Sequence, residues 1–169
     1  YQTDYNLIMS VLLLYLSLVL MDASEYLENN NLITDTQHAF RSGHSTTTCL
    51  LKLTEDIRKG MNEGKATGIL TIDLSKAFDV IDHTTLINKL QSIGITGSFL
   101  KLIKNYLRGR MQVVKYKDKL SRPEQITHGV PQGSILGPLL FMIYLNDLSR
   151  VVETFNVLSY ADDTTIYVT

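Results

Sequence analysis

Val157-Leu158-Ser159-Tyr160-Ala161-Asp162-Asp163-Thr164-Thr165-Ile166-Tyr167-Val168 is the stretch on which the architecture turns. Two β-favouring arms flank a tip that carries two adjacent carboxylates, the pattern of a hairpin. Far upstream, Ile69-Leu70-Thr71-Ile72 is a second apolar run that ends at Asp73, and residues 67–74 read as a buried strand. Strands from two distant parts of the chain would gather Asp73, Asp162 and Asp163 in one place. Three such carboxylates suit Mg²⁺, a hard cation that takes oxygen ligands and keeps positions for water and phosphate. Two ions about 3.5–4 Å apart clamp the attacking and leaving oxygens of an in-line phosphoryl displacement. The residues therefore point to nucleotidyl transfer. A lone Asp-Asp pair between strands is more often an ordinary turn, and Asp73 alone could cap the turn into the next helix.

Outward from that hairpin, the chain alternates helices and strands. Ser45 or Thr46 caps a helix with the apolar face Leu50, Leu53, Ile57 and Met61, and Gly60 and Gly64 are stops. Asp82 caps a second, with Leu86, Ile87, Leu90 and Ile93 inward and Gly94 closing it. Ser98 to Leu107 is a third, presenting Phe99, Leu102, Ile103 and Tyr106. Met111–Tyr116 and Pro123–Thr127 read as strands around a turn at Lys117-Asp118-Lys119. A helix over about 135–148 carries Pro138 in its first turn, where a missing N–H costs little. The order predicts an α+β fold with a small antiparallel sheet packed on helices.

The 169 residues favour one domain, 44% apolar and 20% charged, globular in composition. One cysteine, Cys49, excludes an internal disulfide and fits a reducing compartment inside the cell, nucleus or cytoplasm. Cys49 reads as a small buried hydrophobe. The net charge of −1 hides an asymmetry: residues 101–122 hold eight basic side chains against the single acid Asp118. Such a run supplies phosphate contacts or a solvated face. Leu7 to Met21 carries no charge over fifteen residues, short of the about 20 that span a bilayer. It is expected to be a core helix, without stable membrane association. His38, His44, His83 and His128 show no metal-ligand spacing.

Taken in order, the motifs carry a resemblance. Asp73-Leu74-Ser75-Lys76-Ala77-Phe78-Asp79 resembles the first palm motif of reverse transcriptases. Gly129-Val130-Pro131-Gln132-Gly133-Ser134-Ile135-Leu136-Gly137-Pro138-Leu139-Leu140-Phe141 resembles their second, and Tyr160-Ala161-Asp162-Asp163 their third. The wording is most similar to LINE-type (non-LTR) retrotransposon enzymes. Gln37-His38-Ala39-Phe40-Arg41-Ser42-Gly43-His44-Ser45-Thr46 resembles a fingers motif of that group. The resemblance spans about Asp22 to Thr169. It departs at Tyr5-Asn6-Leu7-Ile8-Met9-Ser10, where the family's arginine and proline are absent.

The resemblance implies a right-hand polymerase, with residues 1–169 as a partial domain of fingers and palm. It implies an RNA-directed DNA polymerase that adds deoxynucleotides to a primer on an RNA template, using two Mg²⁺. Asp73, Asp162 and Asp163 would be the catalytic and metal-binding acids. Phe78 would be the steric gate against a ribose 2′-hydroxyl. Gln132 and Gly133 would contact the incoming deoxynucleoside triphosphate, and Arg41 would fork onto phosphate oxygens. Core phenylalanine is the alternative for Phe78, and surface arginine for Arg41. The thumb and endonuclease regions of a full polyprotein are expected to be missing, and little processive synthesis is expected from residues 1–169. Rival readings are a catalytically inactive remnant and a group II intron-type reverse transcriptase.

Overall fold

The computed structural model describes the backbone of residues 2–152 and 154–169, with side chains from Met9 onward apart from Glu153. The altered opening at Tyr5 to Ile8 lies outside the described side chains. The chain runs through α1 (Gln2–Asn29), α2 (Thr46–Asn62), β1 (Gly68–Ile72), α3 (His83–Ser92) and α4 (Gly97–Leu107). It continues through β2 (Met111–Gln112), β3 (Lys115–Tyr116), β4 (Lys119–Leu120) and β5 (Glu124–Gln125). It ends in α5 (Gly137–Leu145), α6 (Leu148–Val151), β6 (Asn156–Tyr160) and β7 (Asp163–Val168). The expected α+β arrangement is present.

The helical core forms around α5. Leu139, Leu140, Phe141, Met142 and Ile143 are all buried, so this helix is apolar on every side. Its side chains share one core cluster with Leu86 and Leu90 of α3, which packs on it, and with Leu100, Ile103 and Leu107 of α4 and Ala23 and Leu27 of α1. Each fully buried Leu, Ile or Phe contributes about 1.5–3 kcal/mol relative to exposure. The helix begins at Gly137 rather than Ile135 because Ser134 acts first: its Oγ accepts from the Gly137 N–H at 3.1 Å and donates to the Pro131 carbonyl at 2.6 Å. Asp82 caps α3 through the Thr85 N–H at 2.7 Å, as its sequence suggests.

The principal sheet has the order β1-β7-β6, antiparallel throughout. β7 is therefore its centre. Two further pairs, β2 with β5 and β3 with β4, build the basic hairpin region, with Lys117 at φ 52 in its turn. The expected single pair of longer strands is broken into two-residue pieces, all exposed.

Three expectations about burial are corrected. β1 is an edge strand whose Ile69 and Leu70 are 49% and 58% exposed, not a buried strand. An apolar run signals strand formation but leaves open how many faces are covered. On α2, Leu50 and Met61 face solvent, and Leu53 and Ile57 are half-buried. The helix also runs through Gly60 to Asn62. Finally, Leu7–Met21 is helical, but it is not a core helix. Val11, Leu12, Leu13, Leu14, Tyr15, Leu18 and Met21 are exposed, Leu16, Val19 and Leu20 pack against the core while only partly buried, and full burial comes only at Ala23 and Leu27. Over Met9–Asn29 this helix is long and apolar enough to cross a membrane, by length and composition alone.

Candidate active site

Backbone register assembles the acids. In the antiparallel ladder Ile72 lies opposite Thr164, and Tyr160 lies opposite Asp163. Asp73 follows Ile72 directly, so one further step of that register sets it beside Asp163. Asp162 occupies the connection between β6 and β7. The three carboxylates thus share one end of the sheet, with Asp73 and Asp163 exposed and Asp162 half-buried. Among the described residues, none of these side chains forms a hydrogen bond or ion pair. No group of three or more His, Cys, Asp or Glu stands in metal-holding geometry among the described residues. Carboxylate oxygens are the donor type Mg²⁺ takes, and these three would have to converge further to share an ion.

The turn that presents the acids is unusual. Ala161 has φ 57, a left-handed conformation that costs a non-glycine residue roughly 1–2 kcal/mol. The side chain of Gln37 lies against it. The Gln37 Oε1 accepts from the Ala161 N–H at 3.1 Å and from the Ala39 N–H at 2.9 Å. Its Nε2 donates to the Ala161 carbonyl at 3.4 Å. Residue patterns identify a motif containing Gln37 but not this contact, which links positions far apart in the chain.

Residues 74–80 lead from the acids toward a second feature. Lys76 at φ 56 and the turn bonds Ala77 N–H to Leu74 carbonyl and Asp79 N–H to Lys76 carbonyl shape this loop. Phe78 lies against Phe141 with ring centroids 4.2 Å apart and planes 19° off parallel. The 129–133 loop is laid on the same segment: Val130 N–H donates to the Phe78 carbonyl and Gly129 N–H to the Ile81 carbonyl, each at 2.8 Å. Glycine is required at 129. Its φ is +81, and a Cβ there would meet the Asp79 carbonyl oxygen at 2.7 Å. Gln132 Nε2 donates to Asp79 Oδ1 at 3.2 Å. Gly133 stands at φ +74 with open space where a Cβ would be.

These elements bound a cleft of about 690 Å³ whose lining includes Lys76, Asp79, Arg110, His128 and Gln132. Lys76 and Arg110 give it positive charge. Asp79 is the side chain that holds Gln132. The basic run reaches this cleft through Arg110, while its other members are exposed.

Arg41 stands apart from the cleft lining. Its side chain is 6% exposed and forks onto Glu28, Nε to Oε1 at 2.8 Å and Nη2 to Oε2 at 2.7 Å. Its Nη1 donates to the carbonyls of Thr34 at 2.9 Å and Gln37 at 3.2 Å. Arg41 holds the Glu28 carboxyl below the usual carboxylate range, chiefly through that hydrogen bond. A phosphate contact would need Arg41 to leave Glu28.

Residues 5–169 match the family model described as reverse transcriptase (RNA-dependent DNA polymerase). The chain is 31% identical over 143 residues to the probable RNA-directed DNA polymerase from transposon BS of Drosophila melanogaster. It is 29% identical over 145 residues to the corresponding protein from transposon X-element of the same fly. Those matches cover 85% and 86% of this chain but 16% of each relative. The group II intron-encoded protein LtrA of Lactococcus lactis subsp. cremoris is 32% identical over 119 residues, covering 70% of this chain and 18% of that protein. Among solved structures, telomerase from Candida tropicalis matches with a TM-score of 0.65 at 14% identity, over 92% of this chain and 34% of that one. Telomerase from Candida albicans matches at 0.60 and 14%, over 90% and 29%. At that identity these two show the fold alone, a polymerase fingers and palm arrangement. The family match over nearly the whole chain agrees with the motif order, so the chain belongs to the reverse transcriptase family.

Proposed function

We propose that residues 1–169 form part of the fingers and palm of an RNA-directed DNA polymerase. The reaction is addition of deoxynucleotides to a primer 3′ end on an RNA template. The observation that carries this reading is the β1-β7-β6 register, which sets Asp73, Asp162 and Asp163 at one end of one sheet. The family acts on nucleic-acid templates and is generally dependent on divalent metal. Asp73 and Asp162 would hold both Mg²⁺ ions, with Asp163 assisting. Bound there, the ions would supply Lewis acidity and neutralise charge at the attacking and leaving oxygens.

The rest of the site positions substrate. Gln132, oriented by Asp79, would contact the incoming deoxynucleoside triphosphate beside Gly133, where the missing Cβ leaves the backbone accessible. Lys76 and Arg110 would draw its phosphates toward the cleft. Phe78, fixed against Phe141, would place a flat ring where a 2′-hydroxyl would sit. The proposed Arg41 contact with phosphate would require its pair with Glu28 to open.

The test is primer extension on an RNA template with Mg²⁺, using the full-length protein that carries this chain. Replacing Asp162 and Asp163 together with Ala is expected to lower extension on the order of a thousandfold or more. Extension at the unmodified rate by the double variant would refute the assignment.

A further inference from the structure

Gln37 is 5% exposed, and its whole amide is committed beside the acids. Segment 36–38 runs parallel to β6: the His38 N–H donates to the Ser159 carbonyl at 2.8 Å, and the Ser159 N–H donates to the Thr36 carbonyl at 2.7 Å. That pairing lets the Gln37 side chain reach past the strand end to Ala161. It engages both backbone groups of Ala161, the residue at φ 57 immediately before Asp162. Behind Gln37, Arg41 binds its carbonyl and is itself forked onto Glu28.

We propose that Gln37 is a positioning residue for the acid pair, holding Ala161 in its left-handed conformation so that Asp162 and Asp163 are presented together. The proposal rests on the reading of these acids given above. Packing alone does not call for glutamine at this site. An apolar side chain of the same size would fill the space but leave the part-buried N–H and carbonyl of Ala161 without these partners. The site needs one donor and one acceptor on one side chain. Glutamate keeps the acceptor for the Ala161 N–H and loses the donor to its carbonyl. Asparagine has the right groups but is one carbon shorter. Glycine at 161 would adopt the same φ without the Cβ penalty and so depend less on Gln37.

Mn²⁺ titration of the chain followed by electron paramagnetic resonance, with thermal unfolding by circular dichroism in parallel, tests this. The variants are Asp162→Ala with Asp163→Ala, Gln37→Ala, Gln37→Glu, and Gln37→Ala with Ala161→Gly. Wild type is expected to bind Mn²⁺ in a manner lost with the two acids. Gln37→Ala is expected to weaken that binding about tenfold or more, as loss of a partner orienting a ligand does. Gln37→Glu should fall in between, and adding Ala161→Gly to Gln37→Ala should recover much of the loss. Wild-type affinity in both Gln37→Ala and Gln37→Glu overturns the positioning role. So does a loss that follows the unfolding temperature with no recovery from Ala161→Gly. Should Gln37→Ala not fold, the Gln37→Glu comparison decides alone. Mn²⁺ binding in wild type that is indifferent to the two acids would instead sink the assignment of the acids, and the proposal with it.

Discussion

Phe78 joins two roles in one ring. It stacks on Phe141, the largest fully buried side chain of the core, and it stands in the loop that begins at Asp73. Offset stacking of this kind adds about 0.5–1.5 kcal/mol beyond area burial. Phe78→Val is therefore expected to lower stability modestly. In single-nucleotide incorporation by the full-length enzyme it is expected to raise ribonucleotide use relative to deoxynucleotide use. Unchanged discrimination would return Phe78 to a packing role only. Glu28 makes a separate case. Its carboxylate is about one-third exposed but receives a two-pronged bond from a buried guanidinium. Glu28→Gln leaves Arg41 only the distant, exposed Asp35 at 4.0 Å and is expected to cost about 1–2 kcal/mol, discounted from the fully buried case for solvent screening. A urea unfolding curve measures this directly.

At the scale of elements, α1 and α2 show how local signals and packing part company. Ser45 caps α2 in both directions: its Oγ accepts from the Thr48 N–H at 3.2 Å, and its own N–H donates to Thr48 Oγ1 at 2.8 Å. Ser45→Ala is expected to cost about 1 kcal/mol, seen as a lower unfolding temperature, while Ser45→Gly costs only a few tenths. In α1, Leu14 and Met21 are 63% and 65% exposed. Polar replacements there remove no core contact, so Leu14→Gln with Met21→Gln is expected to shift Tm by no more than about 2 °C. The exposed apolar turns invite a membrane reading as well. Flotation with phospholipid vesicles is expected to leave the chain unbound; stable co-flotation would show that α1 partitions into lipid.

For the whole molecule, several lowered groups act in the same direction with pH, among them His38 and Glu28. Burial holds His38 below the usual histidine range, reinforced by His44 and Arg41. Glu28 is depressed chiefly by its bond from Arg41. In both, the folded chain binds the proton less readily than the unfolded chain, so stability rises with pH. The His38 contribution is present above its unfolded pKa of about 6.5 and is lost as pH falls from there toward its folded value. The Glu28 contribution is present above about 4.3 and is lost as pH falls through its depressed folded value. The urea midpoint is accordingly expected to fall in two stages between pH 7 and pH 3. His38→Gln should flatten the upper stage and leave the lower one.

The hairpin, the strand ending at Asp73, the cap at Asp82 and the glycine-rich loop before α5 are all legible in residue order. Each depends on side-chain alternation, turn chemistry or capping over a few neighbouring positions, and such preferences are written locally. The antiparallel class of the sheet follows from the same signals once the motifs are read in order. Other features were decided only by the path of the chain in space. Ile69 and Leu70 are exposed because β1 lies at an edge. Much of α1 is exposed because the core meets it only from Leu16 onward and buries it fully only at Ala23 and Leu27. Arg41 is taken up by Glu28 because the loop after α1 folds back on that helix. Gln37 meets Ala161 because segment 36–38 runs along β6. Pattern shows which groups seek partners, but the pairing of distant groups depends on which elements pack together, and that is a property of the tertiary structure.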